Sequence, residues 1–583
     1  MSLLKPISRI SRSSLRMMGT VRVGCASGFW GDSITSTPQL VNADPKPDFI
    51  VYDYLSEITM SLLAKAKEKD KAMGYCPDFV DYHMGRYLEQ IVAKKVKIVS
   101  NAGGINPHAC AAALRKIASD KNLSLRVAVV SGDDLTDKID QFKSSGIRHM
   151  ETGESFPERV ASINAYIGAG PIKLALDAGA DVVITGRCVD SALALGPLMH
   201  SLSWTEDDLN KLAVGSLAGH LIECGPQCTG GICTDWASVI GWERIGYPIV
   251  EFQEGKPDFV LTKPKKTGGL VNFGSVAEQL VYEIDDPSTY LLPDVTADFS
   301  HVEIRAEKED SVSISGARGY EPPDKLKVSA TYLTGYRCTA TCPVVGPQAE
   351  AKARKTADAI IAKCRGIFKL LKLPDFGRVY FDLIGAKNTY GPNPQSSTSE
   401  GVMWLAVEHS QRQPLEIFAR EIASAATSMA PGLTTMVGGR PKVSPVLKLF
   451  SFLLPKDTVD VKQPSLGLVL IFFLDDKHLQ TYRHPSVLNP QRSNRIPPAS
   501  SVKLDPVPSG NQTYRLGQLA YARSGDKGDT CNIGVIARSE EIYPVLLAHL
   551  TTDVVGSLFS KHFLNPDDVK NVQRTIRGQT TQQ

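Results

Sequence analysis

The sequence predicts a multidomain α/β protein: a large Rossmann-like or barrel-like α/β body, a ferredoxin-like α+β region after it, and a small C-terminal module. Three observations carry this. From residue 21 to about 200, a β-branched run, a glycine-containing turn and a helical pattern recur in that order, as a parallel sheet covered by helices requires. Between residues 326 and 455 the order becomes β-α-β-β-α-β, the split arrangement of ferredoxin-like units. Residues 484–510 then hold six prolines, a density that cannot feed strand ladders and suits an extended linker.

The elements follow in order. The first twenty residues carry Lys5, Arg9, Arg12 and Arg16 and five serines, with no acid before Asp32. Leu3, Ile7, Ile10 and Met17 fall at helical spacing, so the segment is amphipathic in the manner of a mitochondrial transit peptide; a basic tail on a cytoplasmic protein is the alternative. "VRVGCA", "VKIVS", "LRVAVV" and "DVVIT" then read as strands. "HACAAALRKIA" reads as a helix entered through Pro107, a position where the missing N–H is harmless. Leu88, Ile91 and Val92 share one helical face. In the second region "KVSATYLTGYRCTATCPVV", "GRVYFDLIG", "GVMWLAVEHS" and "KVSPVLKLFSFLL" are strands, with helices at "AEAKARKTADAIIAKCRGIFKLL" and "PLEIFAREIASAATSM". The expected units are therefore a transit-like segment at 1–20, the α/β body at 21–300, the α+β region at 301–483, the linker at 484–510 and the module at 511–583.

Composition excludes several functions. The chain has 583 residues, 42% hydrophobic and 22% charged, with 65 Lys+Arg against 62 Asp+Glu. A net charge of +3 sets up no field to attract a polyanion, so nucleic acid is not expected as a partner. The apolar runs "SPVLKLFSFLLP" and "LGLVLIFFL" are well short of the ~20 residues of a spanning helix and read as buried strands. Eleven scattered cysteines indicate reduced thiols. A homo-oligomer is the base-rate expectation.

The candidate chemistry lies in the turns after the strands. Glycine-rich turns at 28–33, 101–104, 131–134 and 185–187 can aim backbone N–H groups at an anion, and in an open sheet they lie together at the carboxyl ends of the strands. Gly28, Gly31, Asp32, Ser33, Asn101, Gly103 and Gly104 are therefore candidate substrate-binding residues. None of the turns matches a dinucleotide or P-loop pattern. Arg187 and Asp190 follow "DVVIT" directly; Arg187 is placed to bind a carboxylate or phosphate in a bidentate manner, or else to pair with Asp190. In "GHLIECGPQCTGGICTDW", His220, Glu223 and Cys224 fall on one side of a helical turn, bringing a base, an acid and a thiol together as candidate catalytic residues. His220 with Cys224, Cys228 and Cys233 offers zinc-type ligands at spacings that fit no finger pattern, and Asp32, Asp190 or Glu223 offers oxygen to magnesium. No residue is assigned to a metal, and the cofactor is unknown. "ARSGDKGDTCNIGV" gathers Arg523, Ser524, Asp526 and Lys527 between two strand-like runs, for anion binding, an interdomain contact or a plain hairpin turn.

The strings "GFWGDS", "NAGGINP", "ITGRCVDSALALGPL", "GHLIECGPQCTGG", "YEIDDPSTYLLPDVTADFS", "GGRPKVSPV" and "RSGDKGDTCNIGVIAR" together resemble the acyclic terpene utilisation family of AtuA-like proteins, over residues 21–560. The resemblance implies a large AtuA domain and a C-terminal AtuA-like ferredoxin-fold domain. In bacteria such proteins occur beside acyl-CoA enzymes that degrade citronellol- and geraniol-type compounds. It implies no mechanism. The chain departs from the family in its transit-like extension and in an end that stops sooner than the family's terminal domain. The resulting expectation is a mitochondrial matrix enzyme of lyase or hydrolase type acting on a branched-chain or terpenoid acyl-CoA or a related carboxylate. The alternative is a non-catalytic subunit that organises an acyl-CoA catabolic complex.

Overall fold

A computed structural model of the chain describes residues 19–386, 398–434, 436–456, 468–473, 479–483, 512–527, 530–560, 563 and 566–575. The transit-like reading up to residue 18 and the linker reading of 484–510 lie outside the described residues. Strands β1 (Thr20–Cys25), β2 (Phe49–Tyr52), β3 (Lys97–Ser100), β4 (Val127–Ser131) and, after β5 (Ser162–Ala165), β6 (Val182–Thr185) open the chain. Between them run helices α1 (Ser36–Val41), α2 (Glu57–Lys69), α3 (Gly85–Ala93), α4 (Pro107–Asp120), α5 (Ile139–Ser144) and α6 (Gly170–Asp177). The helical crossovers make five of these strands parallel, in the order β1-β2-β3-β6-β4. The sheet is open, so the barrel-like alternative falls away.

Local chemistry sets the helix starts. The Ser56 hydroxyl accepts from the Thr59 N–H ahead of α2, and the Asn106 side chain does the same for Ala109 ahead of α4, with Pro107 in its first turn. Each cap satisfies a donor the helix itself leaves unpaired.

The chain continues through α7 (Ala192–Ser201), α8 (Leu209–Ile222), β7 (Ile249–Gln253), β8 (Phe259–Thr262) and α9 (Phe273–Leu280). Five strands follow: β9 (Tyr290–Leu291), β10 (Thr296–Asp298), β11 (Glu303–Lys308), β12 (Ser311–Ser315) and β13 (Arg318–Tyr320). β7, β8, β12 and β11 extend the sheet antiparallel beyond β1, because β7–β8 and β11–β12 are joined by short turns that cannot make a parallel crossover. The strands from residues 21 to 200 thus form the expected parallel sheet as its centre, and later strands add antiparallel wings. Alternation along the strands divides the core. Val23, Val51, Val99, Val130 and Val183 face α6–α8, while Ile50, Tyr52, Ile98, Val129 and Ile184 face α2–α4.

The second region is built from β14 (Lys325–Val345), α10 (Ala349–Leu371), β15 (Arg378–Ile384), β16 (Glu400–His409), α11 (Arg412–Glu421), α12 (Ala425–Ser428) and β17 (Val443–Pro455). Its strands stand in the order β15-β16-β14-β17 with every neighbour antiparallel, the order a βαββαβ chain produces when the third strand inserts between the first two. β14 is one long strand, with a register shift between Leu333 and Gly335 where it pairs with β17. β5 leaves the body and pairs with β14, Ala165 opposite Val328. β18 (Leu468–Phe473) and β19 (Leu479–Arg483) return to the first sheet beside β4. The two sheets are therefore laced together by strand exchange across residue 300. The C-terminal module comprises α13 (Leu516–Leu519), the hairpin β20 (Ala520–Lys527) and β21 (Thr530–Ala537), α14 (Tyr543–His549) and α15 (Thr552–Leu558). Among the described residues no helix is long and apolar enough to cross a membrane.

Candidate functional site

The carboxyl ends of β1, β2, β3 and β6 converge on three carboxylates. Asp53, Asp190 and Glu223 bring one oxygen each within 4.8 Å of one another, the one such group of three His, Cys, Asp or Glu residues among those described. Asp53 follows β2, Asp190 lies in the turn between β6 and α7, and Glu223 caps the C-terminal end of α8.

Asp53 and Asp190 are held by neighbours in the glycine-rich turns. Asn101, fully buried after β3, donates from Nδ2 to Asp53 Oδ1 at 2.7 Å and accepts the Tyr54 N–H on its Oδ1 at 2.8 Å. Asp53 is 4% exposed; burial, with the negative charge of Asp190 beside it, pushes its carboxyl up to about 8 against the hydrogen bond from Asn101. Arg187 is 3% exposed; its Nη1 donates to Asp190 Oδ1 at 2.8 Å and to the Cys188 carbonyl at 3.0 Å, and its guanidinium lies 4.3 Å over the Tyr166 ring. The Tyr166 hydroxyl donates to the buried Glu57. A cavity of about 10 Å³, bordered by Glu57, Asn164, Tyr166, Arg187 and Thr331, adjoins the guanidinium on the side of the second sheet. Arg187 thus stands between the carboxylates and the seam of the two sheets. Asp133, which follows β4, accepts the Arg187 N–H and the Asn164 amide at 2.8 Å each; burial lifts its carboxyl to about 7.

The glycines explain how the turns approach so closely. A Cβ on Gly28 would lie 2.6–2.7 Å from the Cys224 backbone, so only glycine lets the β1 turn meet the end of α8. Gly103 packs in the same way on the end of β6 and on Pro107, and Gly104 takes a positive φ of 52° against Leu63. Gly28→Ala is expected to cost about 1–3 kcal/mol as an overpacked contact and to displace Glu223; denaturant unfolding gives the first and Mn²⁺ affinity the second.

The structure separates the remaining candidates. His220 is buried, its Nε2 directed at the carbonyls of Gln279 (3.0 Å) and Leu280 (3.2 Å), its Nδ1 3.6 Å from Glu223 Oε1. The ring ties α8 to α9 beside Glu223. Cys224 adjoins Glu223, and burial together with the charges of Glu223, Asp53, Asp190 and Glu283 raises its thiol well above the usual range, which keeps it protonated and a poor nucleophile at neutral pH. No three of His220, Cys224, Cys228 and Cys233 gather as a ligand set; the Cys228 thiol donates to the Gly225 carbonyl instead. Asp32 stays outside the acidic group, bonded to the Tyr247 hydroxyl and accepting the N–H groups of Gly28 (2.9 Å) and Ser33 (2.6 Å) across the turn that Gly31 makes with a φ of 109°. Ser33 is exposed and bonds Thr35. In the C-terminal hairpin Arg523 is buried against the body and Ser524 is exposed; the side chains of Asp526 and Lys527 lie outside the described set. Asp53 and Tyr166 are among the site residues that the sequence does not mark. Asp53 ends "FIVY", a strand of only four residues, and an acid directly after a parallel strand is the signal that could have found it. Tyr166 carries no sequence signal; the fold brings it under Arg187.

Three carboxylates at this separation need a countercharge. A proton on Asp53 supplies one; a divalent cation bound through oxygen supplies more, and Asp53, Asp190 and Glu223 are the residues that could hold it. Either arrangement can donate to, or polarise, a carbonyl or carboxylate brought in over the glycine-rich turns.

No curated protein and no solved structure matches the chain. The family model described as acyclic terpene utilisation family protein AtuA matches residues 21–463, and the AtuA ferredoxin-like domain matches residues 514–581. The first match runs from β1 through β17 and takes in all three site carboxylates, and the second takes in the C-terminal hairpin with its helices: the chain belongs to the acyclic terpene utilisation (AtuA) family and ends in that family's ferredoxin-like domain.

Proposed function

We propose that this AtuA-family chain is a catabolic enzyme acting on a branched-chain or terpenoid acyl-CoA, or on a related carboxylate, by lyase- or hydrolase-type chemistry. One observation carries the reading: Asp53, Asp190 and Glu223 converge beside the buried Arg187 where the parallel strands end. That edge is where open α/β sheets bind ligands. A buried carboxyl that keeps its proton near neutral pH is suited to general acid–base work, a contribution of ~10²–10⁴-fold in rate. Arg187 supplies positive charge for an anionic group, the close-packed turns at Gly28 and Gly103 bring backbone to the same edge, and the His220 ring lies 3.6 Å from Glu223. The basic amphipathic start of the sequence supports a mitochondrial matrix location.

Thermal unfolding of the full chain tests this against CoA, branched-chain acyl-CoA thioesters, free terpenoid acids, Mg²⁺ and Mn²⁺. A ligand at 100 times its Kd adds ~2.7 kcal/mol. Stabilisation by an acyl-CoA or a terpenoid acid, lost in Glu223→Gln, is the expected result. No response to any of the organic compounds would sink the enzyme reading and point to a subunit that organises other enzymes.

A further inference from the structure

Among the described residues, the C-terminal ferredoxin-like module meets the body along the segment that follows Glu223 and along α9 with the loop after it. After Glu223 and Cys224 comes a 3₁₀ turn, Gly225–Thr229, and the loop that follows ends at Thr234 and Asp235. The module grips this stretch along its length. Arg523 of β20, with 3% of its side chain exposed, donates from Nη1 to Gln227 Oε1 at 2.6 Å and from Nη2 to the Gly231 carbonyl at 3.4 Å, and lies 3.6 Å from Glu278 Oε2. Glu278, buried in α9, in turn accepts the Thr234 N–H at 3.0 Å. Thr234 Oγ1 accepts the Ala522 N–H at 3.2 Å, and Arg538 pairs with Asp235 through both terminal nitrogens.

A second set of contacts reaches the same corner from the other side. Asn532 of β21 donates to the Ile284 carbonyl at 3.2 Å, and a Cβ on Gly525 would lie 2.6 Å from the Glu283 side chain. Glu283 is one of the acids whose charge acts on the Cys224 thiol. The hairpin therefore bears on both loops that flank the end of α8, with a buried guanidinium as its innermost group.

We propose that Arg523 is a positioning residue for the site: through Gln227 and the 3₁₀ turn, the C-terminal module sets where Glu223 stands relative to Asp53 and Asp190. The inference rests on the reading of those three carboxylates as the site. A guanidinium is suited to this task, since its planar fork holds two acceptors in a fixed relation while its charge is matched by Glu278. A plain linker or tag would need no buried arginine aimed into the turn that follows a site residue.

The test uses the full chain with Arg523→Ala, Gln227→Ala and Arg538→Ala. Arg538 belongs to the same docking surface but bonds Asp235, away from the turn, and serves as the control for loosened docking. Two measurements are made on each: hydrogen–deuterium exchange of residues 223–231, and binding of Mn²⁺ alone as a probe of carboxylate spacing. Arg523→Ala and Gln227→Ala are expected to speed exchange in 223–231 by about tenfold, as local opening becomes easier, and to weaken Mn²⁺ by ~10–100-fold, the usual effect of removing a group that orients a ligand. Arg538→Ala is expected to leave both within about twofold. Gln227→Ala keeps the question decidable if Arg523→Ala does not fold. Unchanged exchange in folded Arg523→Ala or Gln227→Ala overturns the positioning role, and so does an Arg538→Ala variant that matches them. A wild-type chain that binds no Mn²⁺ removes the support for the carboxylate site, while the exchange data still decide whether Arg523 orders the turn.

Discussion

Replacing Arg187 by methionine is expected to cost about 3–5 kcal/mol at neutral pH, the scale for breaking a buried ion pair from one side. Methionine fills much of the volume and can rest on the Tyr166 ring, so the loss reports charge more than packing. The guanidinium lies against Asp190 at 2.8 Å, over Tyr166, with Glu57 bonded to the same tyrosine. Without it those acids face one another in a site that admits little water. The sign with pH follows from Asp53, whose ionisation the Arg187 charge favours: without the guanidinium its carboxyl rises further, so the deficit is larger at pH 8 than at pH 5, where the group is protonated either way. Denaturant unfolding at pH 5 and pH 8 measures it. A deficit that is the same at both values would mean that Arg187 acts through packing alone.

The second expected result is cation binding that depends steeply on pH. Asp53 holds its proton until about pH 8 because burial and the charge of Asp190 oppose ionisation. Mn²⁺ must displace that proton, so its apparent affinity should climb by about tenfold per pH unit below pH 8 and level off above, with close to one proton released per ion. Calorimetry in two buffers of different ionisation enthalpy counts the proton. In the absence of the ion the same group works the other way: its folded value stands above its unfolded one, so its contribution to stability is fully present below about pH 4 and is lost as the pH rises to about 8. Asp133, raised to about 7 by burial, adds to the same trend. Asp53→Asn keeps the hydrogen bond from Asn101 without the proton. It should therefore abolish the proton release, weaken Mn²⁺ strongly and leave the ion-free protein more stable than wild type at pH 8. An affinity for Mn²⁺ that does not change between pH 6 and pH 8 would remove Asp53 from the site.

Much of the scaffold was legible because it depends on short-range order. β1, β3, β4 and β6 stand where β-branched runs precede glycine turns, and α10 spans the whole of "AEAKARKTADAIIAKCRGIFKLL". The βαββαβ order of the second region could be read element by element. Arg187, Asp190 and Glu223 were legible too, the first two from their place after a strand and the third from its spacing to His220. Asp53 was not, since a four-residue strand leaves too little alternation to mark its end. The role of His220 was not legible either: the sequence offers a base, and only packing against α9 shows its Nε2 directed at two backbone carbonyls.

What the sequence by itself determined is the set of elements, the family, and the glycine turns that lie over the strand ends, because helix and strand periodicity, caps and close-approach glycines act over a few residues. What only the tertiary structure decided is which acids meet. Asp53 follows β2 while Asp190 and Glu223 stand at the two ends of the helix pair α7–α8, Tyr166 reaches Arg187 because β5 leaves the body to pair with β14, and Arg523 reaches Gln227 from nearly three hundred residues away. Such meetings depend on strand order and docking, and no local spacing encodes them, since the energy that brings the groups together comes from the burial of the sheets and helices that carry them.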